Sequence, residues 1–183
     1  MSLTKIAVLS NVNMNFVIRL LKKDYEVYES EGYGNELGVL MNPQSSYHGF
    51  NPRVTFLLMD LMEVVEHQLE VADEATAAID RWFTMLESCL KPEGIYYVSD
   101  AYLWGAELSV LSDPGRKQDL EAVWQERLQA LCSRHTNVYI LSYRHMVEQM
   151  GEENAFSLKT WYLGKILHTN EAQKRLSALI CEK

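Results

Sequence analysis

Residues 54–59 read Val-Thr-Phe-Leu-Leu-Met, an apolar run interrupted only by one threonine. A strand that faces water on one side alternates apolar and polar residues, and this run does not alternate. We therefore predict a strand buried on both faces, which is typical of the centre of a parallel sheet covered by helices.

Four other segments are short, bounded by turn residues and rich in β-branched or aromatic residues, and are predicted to be strands: 5–9, 25–29, 95–99 and 138–141. Helical patterns lie between and after the strands: 13–23, 36–41, 73–90, 103–134 with a break at 113–115, 143–150, 156–167 and 170–180. This alternation predicts an α/β protein with three layers, α/β/α, around a five-stranded, mostly parallel sheet. We expect a doubly wound, flavodoxin-like strand order and one domain over residues 1–183.

Composition and charge limit the partners. Of the 183 residues, 48% are hydrophobic and 23% are charged, as in a soluble globular protein. The formal net charge of −8 argues against nucleic acid and against an anionic membrane surface, since both are bound mainly through Lys and Arg. No His or Cys spacing is typical of a metal site, so we expect no metal and no cofactor.

The cysteines and the N-terminus bear on the compartment. Cys89, Cys132 and Cys181 are odd in number, far apart and set in apolar helical patterns, which predicts reduced and buried side chains. No signal-peptide pattern is present, and no apolar run approaches the ~18 residues of a membrane span. We therefore expect a cytoplasmic protein.

Three polar residues follow predicted strands: Ser10, Asp60 and Asp100. In doubly wound sheets, ligands bind at the carboxyl ends of the strands near the switch point. Ser10 would stand beside free backbone N–H groups at a helix start, where a nucleophile or an anion site is built, although serine is also an ordinary N-cap there. The two aspartates could cap helices, bind a cation or polarise a water, and capping is the favoured interpretation.

Several short motifs together carry a resemblance: residues 6–11, 32–34, 42–47, 50–54, 57–60 and Trp161-Tyr162-Leu163-Gly164-Lys165. They resemble the N-terminal domain of FkbH-like proteins, a divergent relative of the SGNH (GDSL-type) hydrolases. The resemblance covers nearly the whole chain and implies an SGNH-like α/β/α domain. The HAD-type domain that usually follows in this family is not part of the sequence, so we expect the SGNH-like domain to stand alone.

The resemblance implies specific catalytic roles. It makes Ser10 the nucleophile, Gly34 an oxyanion-hole N–H donor and His168, just before the last helix, the general base. Asp60 stands where SGNH enzymes have an asparagine, so Asn11 or Asn35 is expected to supply the side-chain donor.

The general base has two candidates. Lys165 stands where the aspartate of the Asp-x-x-His motif is expected. His145, just beyond the fifth predicted strand, is the second candidate base. Plainer interpretations are an N-cap turn at residues 168–170 and a packing role for His145.

The loop of residues 32–46 is the candidate wall of a cleft over Ser10, because binding groups collect on loops held by a rigid sheet. Its polar and aromatic members include Tyr33, Asn35, Asn42, Ser45 and Ser46. Tyr102 and Trp104, after the fourth predicted strand, are expected to cover the other side of the cleft.

Two function classes follow from these residues. The first is an SGNH-like hydrolase or acyltransferase that acts on an acyl ester or thioester through Ser10. The alternative is a catalytically silent module with the same fold that binds an acyl group, an acyl carrier protein or a peptide. A flavodoxin-type phosphate site is disfavoured because residues 10–15 contain no glycine.

Overall fold

A computed structural model describes residues 3–30, 32–65, 72–104 and 114–183. Its sheet has five parallel strands: β1 Lys5–Ser10, β2 Glu26–Tyr28, β3 Val54–Leu58, β4 Ile95–Ser99 and β5 Val138–Leu141. The strand order is β2-β1-β3-β4-β5. This is the doubly wound, flavodoxin-like order predicted from the sequence, and its switch point lies between β1 and β3.

Helices cover both faces of this sheet. In chain order they are α1 Asn15–Leu21, α2 Glu36–Met41, α3 Ser46–Phe50, α4 Leu61–Val65, α5 Ala72–Cys89, α6 Pro114–Arg134, α7 Tyr143–Met150, α8 Glu152–Ala155, α9 Leu158–Gly164 and α10 Asn170–Cys181. One core joins the sheet to α2 through α6, and a second joins it to α1, α7, α8 and α10. The three-layer prediction is therefore confirmed.

Strand β3 supplies side chains to both cores. Phe56 and Leu58 belong to the core beneath α1 and α10, whereas Leu57 belongs to the core beneath α5 and α6. Successive side chains of a strand point to opposite faces, so a strand between two helical layers needs apolar residues at every position. That requirement explains why residues 54–59 show no polar alternation.

Most boundaries agree with the sequence prediction, and the differences have local causes. Strands 95–99 and 138–141 and helices 36–41 and 143–150 are as predicted. Helix α9 is shorter than the predicted 156–167 because Lys165 has φ +54° and ends it, while Phe156 and His168 form an antiparallel bridge. The predicted helix 103–134 is wrong at its start, because residues 103 and 104 are not helical and α6 begins at Pro114, inside the predicted break; residues 105–113 lie outside the described residues.

The cysteine prediction is wrong in one respect. Cys181, the last residue of α10, is exposed, and Cys89 and Cys132 are only half-buried. All three are free thiols. Across the described ranges, no helix combines the length and the apolar character needed to cross a bilayer.

The burial of Leu57 on β3 predicts a large effect of its truncation on stability. Leu57 is 0% exposed, whereas Leu163 on α9 is 76% exposed. We expect Leu57→Ala to lower the free energy of unfolding by about 2–5 kcal/mol, because it removes buried methyl groups and leaves a cavity. The same truncation at Leu163 serves as the matched control and should change it by less than about 0.5 kcal/mol. Urea unfolding of both variants measures this, and equal losses would contradict the assignment of β3 as the central buried strand.

Candidate functional site

The Ser10 side chain continues the pairing of β1 with β3. Its hydroxyl donates a hydrogen bond to the Leu58 carbonyl oxygen at 2.6 Å and accepts one from the Val12 N–H at 3.2 Å. Ser10 is buried, with 7% of its surface exposed. The hydroxyl proton therefore points to a backbone carbonyl, and the oxygen also holds the first turn after the strand.

Asn11 makes a second link between the same strand ends. Its side-chain Nδ2 donates to the Asp60 carbonyl oxygen, and its Oδ1 accepts from the Asp60 N–H, both at 2.8 Å. Both polar atoms of the amide are thus used to join the turns after β1 and β3. In these contacts Asn11 has a structural role, which differs from the oxyanion-donor role that the resemblance implies.

The Asp60 carboxyl lies at the start of α4. Its Oδ1 accepts from the Met62 N–H at 3.3 Å, which confirms the capping interpretation. Burial raises the pKa of Asp60 to about 7, because desolvation outweighs the stabilising backbone N–H groups of Met62 and Glu63. This residue is therefore a weakly acidic buried carboxyl.

Asp100, after β4, has a similar role at another helix. Its Oδ1 accepts from the Arg144 N–H at 2.6 Å, at the start of α7. Burial raises the pKa of this carboxyl as well. Asp100 therefore caps a helix that follows β5, rather than the one directly after its own strand.

His168 is buried beside Tyr143. Its Nε2 is 2.7 Å from the Tyr143 hydroxyl oxygen, and burial lowers the pKa of the imidazole to about 4. Among the described residues, no carboxylate forms a hydrogen bond with this ring. The next residue, Thr169, accepts from the Ala172 N–H at 3.2 Å, so the predicted N-cap turn is confirmed.

Lys165 occupies the place of the expected aspartate and has its own contacts. Its Nζ is 2.9 Å from Glu63 Oε1 and lies 4.1 Å from the centre of the Trp161 ring. An ammonium group engaged in this way does not orient an imidazole as a carboxylate would.

Ser10 and His168 line different cavities. Ser10 lies in a cleft of about 190 Å³ together with Ile18, Ser30, Tyr33 and Glu36, called here the Ser10 cleft. His168 lines a separate cavity of about 10 Å³ with Asp60 and Tyr143, room for about one water molecule. Val12 and Met14 line both, so Val12 rather than Ser10 faces the cavity that holds the imidazole. No hydrogen bond joins Ser10 to His168 in this conformation.

Gly34 and Asn35 lie where the loop after β2 leads into α2. The Gly34 N–H donates to the Ser10 carbonyl oxygen at 3.1 Å, with Gly34 at φ +81°. The Asn35 side chain rests against Gly38, where a Cβ atom would collide with it. The Gly34 N–H, which the resemblance implies as an oxyanion-hole donor, is therefore engaged by the Ser10 backbone here.

The other predicted site residues lie apart from Ser10. The Ser46 hydroxyl is 2.8 Å from the Tyr28 hydroxyl, in a neighbouring cleft. Tyr102 donates to Glu152 Oε1 at 2.8 Å, and its ring is tilted against Phe156, on which Trp104 also stacks. His145 is exposed on α7, with Nε2 2.9 Å from Gln149 Nε2.

Three contributors to this edge were absent from the sequence-based site. They are Tyr143, the Leu58 carbonyl and Glu36, whose Oε1 accepts from Trp82 Nε1 at 3.3 Å. Tyr143 follows β5 by two residues, a position that could have identified it, whereas a backbone carbonyl has no sequence signal. Within the described ranges, no group of three or more His, Cys, Asp or Glu residues is arranged to hold a metal ion.

No protein-family model and no curated protein matches the chain. Solved structures do match it. The N-terminal part of a Bacteroides fragilis protein containing a phosphatase domain, complexed with Mg, aligns with TM-score 0.79 and 15% identity over 99% of this chain and 51% of that one. The chain thus spans about half the length of that solved N-terminal part.

Two enzymes align over most of both chains. A lipase/acylhydrolase from Enterococcus faecalis gives TM-score 0.64 at 12% identity, covering 98% of this chain and 94% of that chain. An acetylxylan esterase from Geobacillus stearothermophilus gives TM-score 0.60 at 11% identity, covering 99% and 94%. At these identities the likeness shows the fold alone, an α/β fold that this chain shares with the two enzymes.

The raised pKa of Asp60 predicts a pH-dependent stability. The folded protein keeps a proton on Asp60 up to about pH 7, whereas an unfolded aspartate releases it near pH 4. The stability that this proton provides is complete below about pH 4 and is lost as the pH rises through 7. The asparagine of the Asp60→Asn variant has no proton to lose, so only the parent loses this stability. The free energy of unfolding of the variant minus that of the parent should therefore rise by more than about 1 kcal/mol from pH 4 to pH 8.

Urea unfolding of both proteins at the two pH values measures this difference. The buried His168 has the opposite effect on the pH dependence. Its lowered pKa makes the folded protein less stable as the pH falls toward 4. Because both proteins contain His168, this contribution cancels in the difference between them. A difference that does not change with pH would contradict the buried, protonated state of Asp60.

A matched pair of glycines tests the backbone at Gly34. Gly34 has a left-handed φ, Gly32 does not, and a Cβ atom on either would meet no atom within 4 Å. Gly34→Ala should therefore lower the free energy of unfolding by about 1–2 kcal/mol through backbone strain alone. Gly32→Ala should change the free energy of unfolding by less than about 0.5 kcal/mol. Chemical denaturation measures both variants, and equal effects would be inconsistent with a constrained backbone at Gly34.

Proposed function

We propose that this chain is an SGNH-fold module that binds an acyl group without cleaving it through Ser10. The observation that carries the proposal is the hydrogen bond from the Ser10 hydroxyl to the Leu58 carbonyl, in a cleft that His168 does not line. A serine hydroxyl becomes a nucleophile only when a base within hydrogen-bond reach removes its proton. Here the proton is directed to a carbonyl that cannot accept it permanently.

The state of His168 supports the same proposal. A general base works best when its pKa lies near the working pH, and burial lowers this one to about 4. A catalytic imidazole is normally oriented by a carboxylate. The partner seen at Nε2 is instead the Tyr143 hydroxyl, whose pKa burial raises well above its ordinary value, so it neither accepts a proton nor supplies a negative charge near pH 7.

The Ser10 cleft has a lining suited to a short acyl chain. Val12, Met14 and Ile18 give apolar surface, and Ser30, Tyr33 and Glu36 give polar groups. Ligand sites commonly combine an apolar lining with a few polar groups that fix orientation. The acyl group could arrive as a small ester or thioester, or on an acyl carrier protein, and the second source is supported only by the resemblance to FkbH-like proteins.

A second candidate function is the hydrolysis or transfer of an acyl ester or thioester through Ser10. It is favoured by the fold shared with lipases and esterases and by the place of Ser10 at the end of β1. To act in this way, Ser10 must leave the Leu58 carbonyl and His168 must leave Tyr143. The Gly34 N–H must also become available to an oxyanion.

Covalent labelling separates the two functions. A fluorophosphonate probe should give no adduct on Ser10 by peptide mass spectrometry, while a known serine esterase in the same reaction is labelled. The Kd of Ser10→Ala for a short-chain acyl thioester, measured by calorimetry, should lie within about twofold of the Kd of the parent, because the Ser10 hydroxyl is engaged with the backbone. An adduct on Ser10, or ester turnover abolished by Ser10→Ala, would instead establish the second candidate function.

A truncation in the cleft tests acyl binding itself. Ile18→Ala removes apolar surface from the Ser10 cleft and should weaken binding of the acyl thioester by roughly tenfold. Ile140→Ala, an equal truncation of another half-buried isoleucine on β5, is the control and should bind like the parent. Equal affinities of the parent and Ile18→Ala would remove the Ser10 cleft as the acyl site.

A further inference from the structure

Another cleft shares Glu36 with the Ser10 cleft. It has a volume of about 360 Å³ and lies between α2, α4 and α5; we call it the Arg81 cleft. Glu36 lines both clefts, so one carboxylate-bearing wall separates them. The volume of the Arg81 cleft is within the range of ordinary small-molecule sites.

We propose that the Arg81 cleft binds a free α-amino acid with an apolar side chain. Glu36 binds the ammonium group of this ligand, Arg81 binds its carboxylate, and the apolar wall of the cleft takes its side chain. The site lies outside the part of the Ser10 cleft assigned to an acyl chain. It therefore goes beyond the proposed function and does not depend on it.

The first argument is the state of the Glu36 carboxylate. Its Oε1 accepts from Trp82 Nε1 at 3.3 Å, whereas its Oε2 is buried and has no hydrogen-bond partner among the described residues. A carboxylate oxygen that has lost water without gaining a partner is unfavourable, so a donor supplied by a ligand stabilises it. The last torsion of a glutamate side chain is soft, so the carboxylate can turn to present Oε2 to an ammonium group in the cleft.

The second argument is a cation on the same cleft that does not pair with Glu36. Arg81 is exposed, and within the described part of the chain its guanidinium forms no hydrogen bond or ion pair. It directly precedes Trp82, the residue that Glu36 contacts, so the two charges enter the cleft from adjoining positions. A guanidinium can bind a carboxylate through two parallel hydrogen bonds. Opposite charges that share a cleft without pairing with each other suit a ligand that has both charges.

A third charged residue of the described lining, Glu63, is already neutralised. Its Oε1 is 2.9 Å from the Nζ of Lys165, in an ion pair that joins α4 to the end of α9. Glu36 and Arg81 are thus the charges of the described lining that remain open to a ligand. One is negative and the other is positive, as the two ends of an α-amino acid require.

The third argument is the apolar wall beside these charges. Leu37 and Val64 are half-buried in the lining, and Met85 is 40% exposed there. A ligand side chain that covers this surface removes it from water, which is favourable. Methionine is flexible and adapts to the group that packs on it. The wall therefore favours an amino acid with a medium-sized apolar side chain, such as leucine or methionine.

The test is a titration of the full chain with L-leucine and with two analogues that each lack one charge. In leucic acid a hydroxyl replaces the ammonium group, and in L-leucinamide an amide replaces the carboxylate. We expect L-leucine to bind with a millimolar or lower Kd in calorimetry and ligand-observed NMR. Each analogue should bind at least about tenfold more weakly, because it leaves one of the two protein charges unpaired.

Two variants assign the charged groups of the site. Glu36→Gln keeps an oxygen for Trp82, and Arg81→Gln keeps a polar side chain, but each should weaken L-leucine binding by roughly tenfold or more. Glu93→Gln and Arg53→Gln are the matched controls. They remove the same charges at exposed positions before β4 and β3, at the opposite edge of the sheet, and should bind L-leucine like the parent. Thermal unfolding of each variant checks that it is folded.

Each other outcome overturns the amino-acid site. Absence of L-leucine binding at about 10 mM does so. Equal binding of leucic acid or of L-leucinamide also overturns it, because the cleft then recognises only one charge. Binding that both Glu36→Gln and Arg81→Gln leave unchanged places L-leucine elsewhere on the protein.

The two ligand sites are tested separately. None of these probes is an acyl thioester, so their failure leaves the proposed acyl site intact. Loss of the acyl site, shown by equal thioester affinities of the parent and Ile18→Ala, leaves the Arg81 cleft intact, because Ile18 lines only the Ser10 cleft of the two.

Discussion

The structure of the candidate site depends on the pairing of β1 with β3, which extends one step beyond the backbone ladder. Ser10 is in register with Leu58 at the last paired position, and the Ser10 hydroxyl adds a hydrogen bond to the Leu58 carbonyl there. The two-way bond between Asn11 and the Asp60 backbone follows directly. Buried polar groups are costly unless they are paired, and here the side chains pair the backbone groups that the ladder leaves behind.

This arrangement separates the residues that a serine hydrolase brings together. With Ser10 held toward Leu58, Val12 takes the surface that faces His168 and Asp60. His168 is then a buried, neutral imidazole bonded to Tyr143, and Lys165 pairs with Glu63. Each departure from the SGNH pattern thus has a structural partner of its own, and these partners are the basis of the proposed acyl-binding role.

The sequence predicts the fold well because the fold depends on long, repeated patterns. The unbroken apolar run of β3 identified the central strand, and the alternation of strands and helices identified the layers and the order. Helices α3 and α4 have only five residues each, too few to show a helical period, and they were missed. The cap at Thr169 was predicted because a threonine before a helix has a defined local partner.

The candidate site was less predictable because its decisive contacts are long-range. Whether Ser10 is a nucleophile or a structural residue depends on the Leu58 carbonyl, 48 residues away, which leaves no mark in the sequence. The loop around Tyr33 was correctly expected to form a wall beside Ser10, but its division between two clefts depends on long-range packing that no local pattern shows.

A crystal structure of the protein with a short-chain acyl thioester tests the central claim most directly. We expect an intact ligand with its acyl chain beside Ile18, and with the Ser10 hydroxyl still hydrogen-bonded to the Leu58 carbonyl. A covalent acyl group on Ser10, with the His168 imidazole moved within hydrogen-bond distance of it, would contradict the account.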